Sequence, residues 1–318
     1  MARHVIPATT TPLVIPPEAM ARLSPAEYHA RFLEAEIRPD GRRLDQPRAA
    51  TLALGAVRSA AGSASVRIGG TFVLAGVTCE AVALAADAAE SEGELIFRLE
   101  APAISGLRAR VPGVPSACDG ADAVLQATLS RSRVLAPGAL RIGARGAAWR
   151  LVVDVYCLDH DGNLADAALL AAVAALAHTH LPPARLDANA RTVLVGAHAG
   201  PAPEAAGPSG PAGSAGGALA FASRPVPLSF ARVLGRTLAD PCRDEEALAD
   251  GKAGALVTVV VDAELRVAGV HKPGGAPLPD AELRACVDAA RARAPALHAL
   301  LDDALALAAG ATAAGAHL

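Results

Sequence analysis

Lysine is almost missing from this chain: Lys252 and Lys272 are the only two among 29 basic residues. The other positive charges are guanidinium groups, which can pair bidentately with phosphate. A formal net charge of −3 leaves no strong overall field to draw the chain to nucleic acid. A nucleic-acid role would need a local patch or basic partner chains. Aromatic residues make up 3%, with two tyrosines and one tryptophan, which excludes a base-stacking platform of the RNA-recognition-motif kind. The cysteines Cys79, Cys118, Cys157, Cys242 and Cys286 are odd in number and widely spaced. Without a C-x-x-C pair they suggest neither a zinc site nor a disulfide framework. Reduced, partly buried thiols in a cytosolic or nuclear protein are the simplest reading. The opening stretch MARHVIPATTTPLVIPPEAM carries prolines where a signal peptide needs an apolar helix. No strongly apolar run reaches the roughly 18 residues of a membrane span, and the alanine-rich stretch 164–177 contains Asp166. These absences point to a soluble, intracellular protein.

What is present is a chain of 318 residues, 52% of them hydrophobic, enough for one large globular unit or two modest domains. Residues 1–23 are rich in Pro and Thr and read as an extended arm. A helix follows: Ser24 can cap it, Pro25 suits the first helical position, and Glu27 completes a capping box. Arg38-Pro39-Asp40-Gly41-Arg42 ends it with turn chemistry. From about residue 50 the period changes to that of strands. ATLALGAV (50–57) alternates, and SASVRIGG and TFVLAGVT read as a hairpin around Gly69-Gly70. Residues 81–116 read as loops around a strand at 94–100, and 119–135 as a helix. AAWRLVVDVYCLD (147–159) is apolar on both faces and reads as a central strand. LADAALLAAVAALAH (164–178) is apolar almost all round, so it is a buried helix.

Residues 199–217 are low-complexity Gly, Pro and Ala and read as a flexible loop. After them the grammar repeats. PLSFARVLG is a strand, 255–272 holds two strands around a tight turn, and a helix opens with Asp280 as its cap. Pro295 is expected to interrupt that helix, with a second helical piece over 295–308 and a frayed tail beyond Gly310. Hairpin and helix thus appear on both sides of the Gly/Pro segment, which predicts an α+β fold of two similar halves. The expected division is an arm and helix over 1–43, one domain over 44–190, a second over 191–310 and a tail over 311–318.

Five segments in order carry a resemblance. They are SPAEYHARFLEAEIRPDGR (24–42), GSASVRIGGTFVLAGVTCEA (62–81), VYCLDHDGNLADAALLAAVAAL (155–176), LADPCRDEEALADGKAGALVTVVVD (238–262) and GVHKPGG (269–275). Together they resemble the RNase PH-like subunits of the RNA exosome, over roughly residues 24–308. The resemblance implies an RNase PH-like fold (ribosomal protein S5 domain 2-like) of two βαβ-rich lobes. It implies a hexameric ring of such subunits around an RNA channel, with S1/KH cap subunits and an associated 3′-5′ exonuclease. The ligand would be single-stranded RNA, the process rRNA maturation and mRNA decay, and the location nucleus, nucleolus and cytoplasm. No cofactor and no membrane is implied.

The same resemblance locates the chemistry. Catalytic relatives hold phosphate with a Thr hydroxyl and an Arg fork in a G-G-T-R turn. Here the matching positions are Leu164 and Ala165, and neither side chain can bind an anion. The carboxylates of active relatives match Asp240 and Glu246, so a metal could still visit without a phosphate beside it. The expected role is a non-catalytic ring subunit. A phosphorolytic exoribonuclease using Asp240 and Glu246 with a ring partner is the competing reading, and a protein of this fold outside the exosome is a third. Arg108 and Arg110 lie in the loop that the family turns toward the channel, where arginines track RNA; a solvated arginine-rich loop is the equal alternative. Asp159, His160 and Asp161 have the look of a metal cluster, but a polar turn is favoured, with Asn163 as cap and Asp166 at the third helical position. Gly143-Ala144-Arg145-Gly146 is read as an ordinary loop rather than an RNA clamp. Arg131 and Arg133 read as a surface at a helix end. His271-Lys272-Pro273-Gly274-Gly275 could touch RNA or a neighbour, or simply end a strand.

Overall fold

The computed structural model describes residues 16–83, 93–102, 105, 117–131, 134–142, 147–186, 193–196, 217–251 and 253–315. They fall into two compact units, Met1–Leu44 and Asp45–Leu318.

The first unit contains helices α1 (Pro17–Leu23) and α2 (Pro25–Glu34). The arm expected to stay extended is therefore helical over Pro17–Leu23. Pro17 opens α1 where a missing N–H costs nothing, and Glu18 and Arg22 suit the two ends of its dipole. The capping box expected at Ser24 does not form, because Ser24 makes no side-chain cap bond. Ser24 also closes α1, its N–H donating to Met20 O, and this sets its backbone. Beyond α2, Ile37 pairs with Arg43 around the turn. Asp40 there accepts from Arg42 N at 3.0 Å and Arg42 Nε at 2.6 Å.

The second unit begins with strands β1 (Ala50–Leu54), β2 (Gly62–Ile68), β3 (Thr71–Ala83) and β4 (Glu94–Glu100), followed by helix α3 (Ala117–Arg131). Next come β5 (Arg141–Ile142), β6 (Ala147–Asp159), α4 (Leu164–Ala177), β7 (His180–Leu181), β8 (Ala184–Leu186), β9 (Val193–Val195) and β10 (Gly217–Ala218). The last segment holds β11 (Val226–Val233), β12 (Arg236–Ala239), α5 (Arg243–Ala249), β13 (Ala255–Val261), β14 (Val267–His271) and α6 (Asp280–Gly315).

The hairpin expected at Gly69-Gly70 is β2–β3, with Ile68 opposite Thr71. It belongs to a six-stranded sheet of order β1-β2-β3-β6-β4, with β5 also on β6. The expected central strand is β6, flanked by antiparallel β3 and parallel β4. A four-stranded sheet, β12-β11-β13-β14, forms the second lobe. Helix α4 packs on β2, β3 and β6 of the first sheet, on β11 of the second, and on α3. Every residue from Asp166 to Leu176 is buried, which is why its sequence shows no polar face. Its many alanines let the layers approach closely.

Three expectations about the C-terminal half fail: a break at Pro295, a frayed tail beyond Gly310 and Asp280 as a cap. Helix α6 runs unbroken through Pro295 and on past Gly310 to Gly315, and Asp280 is its first residue. A proline inside a helix loses one backbone bond, yet Cys286, Ala290, Ala294, Leu297 and Leu301 are buried on one face on both sides of it. Their packing on β1, β11 and β13 outweighs the missing bond, and Pro295 itself faces solvent. Helix α5 was not legible as a helix. Its first residue follows Cys242, an unusual cap, whose N–H donates to Glu245 Oε2 at 2.9 Å. Of the low-complexity segment, Gly217 opens the short strand β10; 199–216 lie outside the described residues. None of the five cysteines is in a disulfide. Among the described residues no helix is long and apolar enough to cross a membrane.

Candidate functional site

The β6–α4 turn (160–163) meets the β12–α5 turn (240–242) where the two sheets face α4. Gly162 makes this approach possible. Its φ is +82°, and a Cβ there would lie 2.4 Å from the Cys242 carbonyl carbon and 2.6 Å from Pro241 O. Asn163 and Asp240 also take left-handed backbones, at φ 55° and 51°, a region short polar residues tolerate best.

Arg48, just before β1, holds the two turns together. Its Nε and Nη2 donate to Asp240 Oδ2 and Oδ1, both at 2.9 Å. Its own backbone N–H donates to Asp240 Oδ2 at 2.7 Å. Asn163 Nδ2 donates to Asp240 Oδ1 at 2.6 Å and to Asp166 Oδ2 at 2.8 Å. Asp240 thus accepts four bonds, which saturates a carboxylate. Arg48 Nη1 donates to Asp161 O at 2.8 Å, while its Nη2 donates to Gly162 O and Pro241 O at 3.3 Å. Behind it Arg293 Nη2 donates to Arg48 O at 2.9 Å. The Asp240 side chain is 2% exposed and that of Arg48 10%. Burial alone would raise the Asp240 carboxyl; the bonds and charge of Arg48 outweigh it and hold the group below its usual range.

Asp166 stands at the third position of α4, in its first turn, as expected, but its oxygens also reach across to the second sheet. It is buried and accepts from Ser229 N at 2.9 Å and Ser229 Oγ at 2.7 Å, tying α4 to β11. Burial raises its carboxyl to about 6, against the lowering pull of Ser229 and Asn163. Asn163 holds the cap position but makes no side-chain cap bond; its backbone is left-handed rather than the extended form a capping residue takes. Its backbone N–H donates instead to Glu246 Oε1 at 2.8 Å. Burial pushes Glu246 up to about 7, opposed by that bond and by Arg48. Beside it, His160 Nε2 lies 3.9 Å from Glu246 Oε2. Burial first, then the charges of Arg243 and Arg48, push His160 down to about 4.

The sequence-selected residues divide accordingly. Leu164 is 2% exposed in the core, and Ala165 packs half-buried against it; neither side chain offers a donor. Asp240 and Glu246 do converge, on Asn163, but the carboxylate left open to a visiting metal is filled by Arg48. Among the described residues no three His, Cys, Asp or Glu side chains are arranged to hold a metal ion. A cavity beside Asn163, Asp166, Asp240 and Arg293 has room for about one water, far below the ~300 Å³ of a small-molecule pocket. His271 ends β14 and lies 3.1 Å from Thr128 Oγ1 on α3. The Lys272 ammonium donates to Gly274 O and Gly275 O. Arg108, Arg110, Arg133 and the 143–146 loop lie outside the described residues. Arg48, Asn163 as a hub, Ser229 and Arg293 were missed. Arg48 and Asp240 stand 192 positions apart, so no local pattern could have joined them.

Two intertwined α/β lobes joined at a buried carboxylate cluster define a class, and the comparisons agree on it. The models of the 3′ exoribonuclease family match in order, domain 1 over residues 46–182 and domain 2 over 223–293. The chain belongs to this RNase PH family. It is 30% identical to exosome complex component Rrp42 of Methanosarcina mazei, over 88% of this chain and 94% of that protein. It is 26% identical to exosome complex component rrp43 of Schizosaccharomyces pombe, over 87% and 95%. The fold matches the Archaeoglobus fulgidus exosome with RNA bound to the active site, with TM-score 0.68 and 24% identity over 86% of this chain and 96% of that one. An archaeal exosome core matches with TM-score 0.67 at the same identity, over 87% and 96%.

Proposed function

We propose that the chain is a non-catalytic ring subunit of an RNA exosome, serving 3′-5′ processing and decay of RNA by assembly and threading rather than by bond cleavage. Relatives named as exosome components over nearly their whole length support the assembly role. One observation carries the non-catalytic part. At the start of α4, where the resemblance places a phosphate-holding Thr and Arg, Leu164 is packed into the core and Ala165 carries a methyl group. Phosphorolysis needs phosphate held as an anion in line with the scissile bond, and no side chain at these positions can hold it. The partners in this reading are other RNase PH-like subunits in a six-membered ring, S1/KH cap subunits, a 3′-5′ exonuclease and single-stranded RNA, in the nucleus, nucleolus and cytoplasm. Arg108 and Arg110 would touch the RNA backbone. The YHARFLE helix at 28–34, the CLDHDGN turn at 157–163 and the His271-Lys272-Pro273-Gly274-Gly275 element together favour the type called ribosomal RNA-processing protein 43 within the non-catalytic class.

The deciding experiment follows single-stranded RNA with inorganic phosphate, using the purified chain alone and with its ring partners. Incorporation into a six-membered ring without activity of its own is the expected result. Release of nucleoside diphosphates that disappears in Asp240→Ala would overturn the reading in favour of a phosphorolytic exoribonuclease. Failure to join any ring would favour a role outside the exosome.

A further inference from the structure

The lone pairs around the Asn163 amide can be counted. Asp240 Oδ1 accepts from Arg48 Nη2 at 2.9 Å and Asn163 Nδ2 at 2.6 Å. Asp240 Oδ2 accepts from Arg48 N at 2.7 Å and Arg48 Nε at 2.9 Å. Asp166 Oδ2 accepts from Asn163 Nδ2 at 2.8 Å and Ser229 N at 2.9 Å. Two bonds fill a carboxylate oxygen, so these three are complete. Capacity remains at Asp166 Oδ1, which takes one bond, from Ser229 Oγ at 2.7 Å. It also remains at Asn163 Oδ1, which is buried and finds no partner among the described residues. The amide cannot turn over to relieve this, because Nδ2 faces two carboxylates, which accept and do not donate when ionised. A donor is in surplus nearby. Arg293 Nη2 donates to Arg48 O at 2.9 Å, and a guanidinium carries five such donors. Burial lowers this guanidinium, and the attraction of Asp240 and then Asp166 opposes it. Asn163, Asp166, Asp240 and Arg293 line one cavity, whose other walls include Leu170 and Leu297. It has room for about one water.

We infer that this cavity holds one ordered water, which accepts from the Arg293 guanidinium and donates to Asn163 Oδ1 and Asp166 Oδ1. The valences match. A buried water makes about three hydrogen bonds, and the cavity wall offers one surplus donor and two incomplete acceptors. A cation in the same place would be repelled by Arg293, and an anion by Asp166 and Asp240. Water is neutral and carries both donors and lone pairs on a single small oxygen. A cavity with only apolar walls would stay dry; this one has four polar residues on its wall. The water gives the buried Asn163 oxygen the partner it otherwise lacks, which removes a desolvation cost. It also joins α6, which carries Arg293, to the first turn of α4, and through Asp166 to β11. The site requires no ring partner, so its test leaves the proposed function untouched.

The test is a crystal structure of the full chain that resolves ordered water, together with a count of long-lived internal waters in solution by water-oxygen magnetic relaxation dispersion. Wild type is expected to show a water density peak within hydrogen-bond distance of Arg293, Asn163 Oδ1 and Asp166 Oδ1. Arg293→Met keeps an unbranched side chain without a donor and should lose one long-lived water from the count. Arg291→Met, on the exposed side of the same helix, should lose none. An empty cavity in a map that shows other buried waters would overturn the inference. So would a peak that touches neither Asn163 nor Asp166, or one that refines as an ion. An unchanged count in Arg293→Met, or an equal loss in both variants, would overturn it as well. Should Arg293→Met fail to fold, the wild-type density decides by itself.

Discussion

Asp240 is tightly constrained, because its four bonds come from four donors on two residues, Arg48 and Asn163. Breaking one side of a buried ion pair strands the other charge, at about 3–5 kcal/mol. Asp240→Asn keeps a side chain that tolerates the left-handed backbone, so its loss reads charge rather than strain. Urea unfolding should show it less stable than wild type by ~3 kcal/mol; a change below the error of the fit would mean the ion pair is not the clamp described. Gly162→Ala meets both a positive φ and a main-chain wall at 2.4 Å. It should cost more than about 2 kcal/mol, visible as a lowered melting temperature. Glu246 gives a pH signature. Its carboxyl is raised in the fold to about 7, so the folded chain binds the proton more tightly than the unfolded one. Its contribution is most favourable below the ordinary glutamate range and is lost as pH rises through about 7. Glu246→Gln removes that dependence. Because the side chain is 19% exposed, water screens part of the effect, and the variant should gain about 1 kcal/mol on wild type between pH 5 and pH 8. Parallel stability curves for the two proteins would count against the raised carboxyl.

Helix α6 shows an element stabilised by one face against its own sequence. The buried row from Cys286 to Leu301 holds it straight through Pro295, which removes a backbone bond and touches no core. Pro295→Ala restores the bond without disturbing packing and should raise stability by ~1 kcal/mol or more. If the melting temperature falls instead, the proline is shaping a bend that the packing needs. Helix α4 shows the opposite balance: its alanines were legible as buried from the sequence, since no face of the helix could tolerate water. The helix at Pro17–Leu23 and the lost capping box at Ser24 share one cause. A residue that ends one helix is not at liberty to cap the next, and the spacing of two helix signals one residue apart hides that conflict.

For the whole molecule the decisive feature is that the two lobes meet through ions and polar turns as well as through α4. Asp166–Ser229 and Arg48–Asp240 bind the first sheet's turns to the second sheet's strands. Such links keep geometry at a cost in desolvation, which fits the proposed role of presenting fixed surfaces to ring neighbours. Under the proposed function, Leu164→Thr with Ala165→Arg should not create phosphorolysis, because Leu164 is core and its replacement costs packing first. The check is phosphate-dependent RNA loss by the double variant in the assembled ring, and measurable nucleoside diphosphate release would show that the missing anion pocket alone separates this chain from an enzyme.

From its order of residues alone the chain specified the α+β class, the hairpin at Gly69-Gly70, the central strand 147–159, the buried helix after it and the family motifs. Each rests on periodicity or turn chemistry within about twenty neighbouring positions, and local sequence carries that information in full. The positions of Leu164, Ala165, Asp240 and Glu246 were legible through the motifs as well. What those acids are bonded to was not. Nothing local singles out Arg48 before its strand or Ser229 within one, and Asn163 reads as an ordinary cap. Tertiary structure decided otherwise, because a buried carboxylate must be paired wherever its partner lies in the sequence. Folding brought Arg48 to Asp240 from 192 positions away, and a contact of that range leaves no period for a single sequence to show.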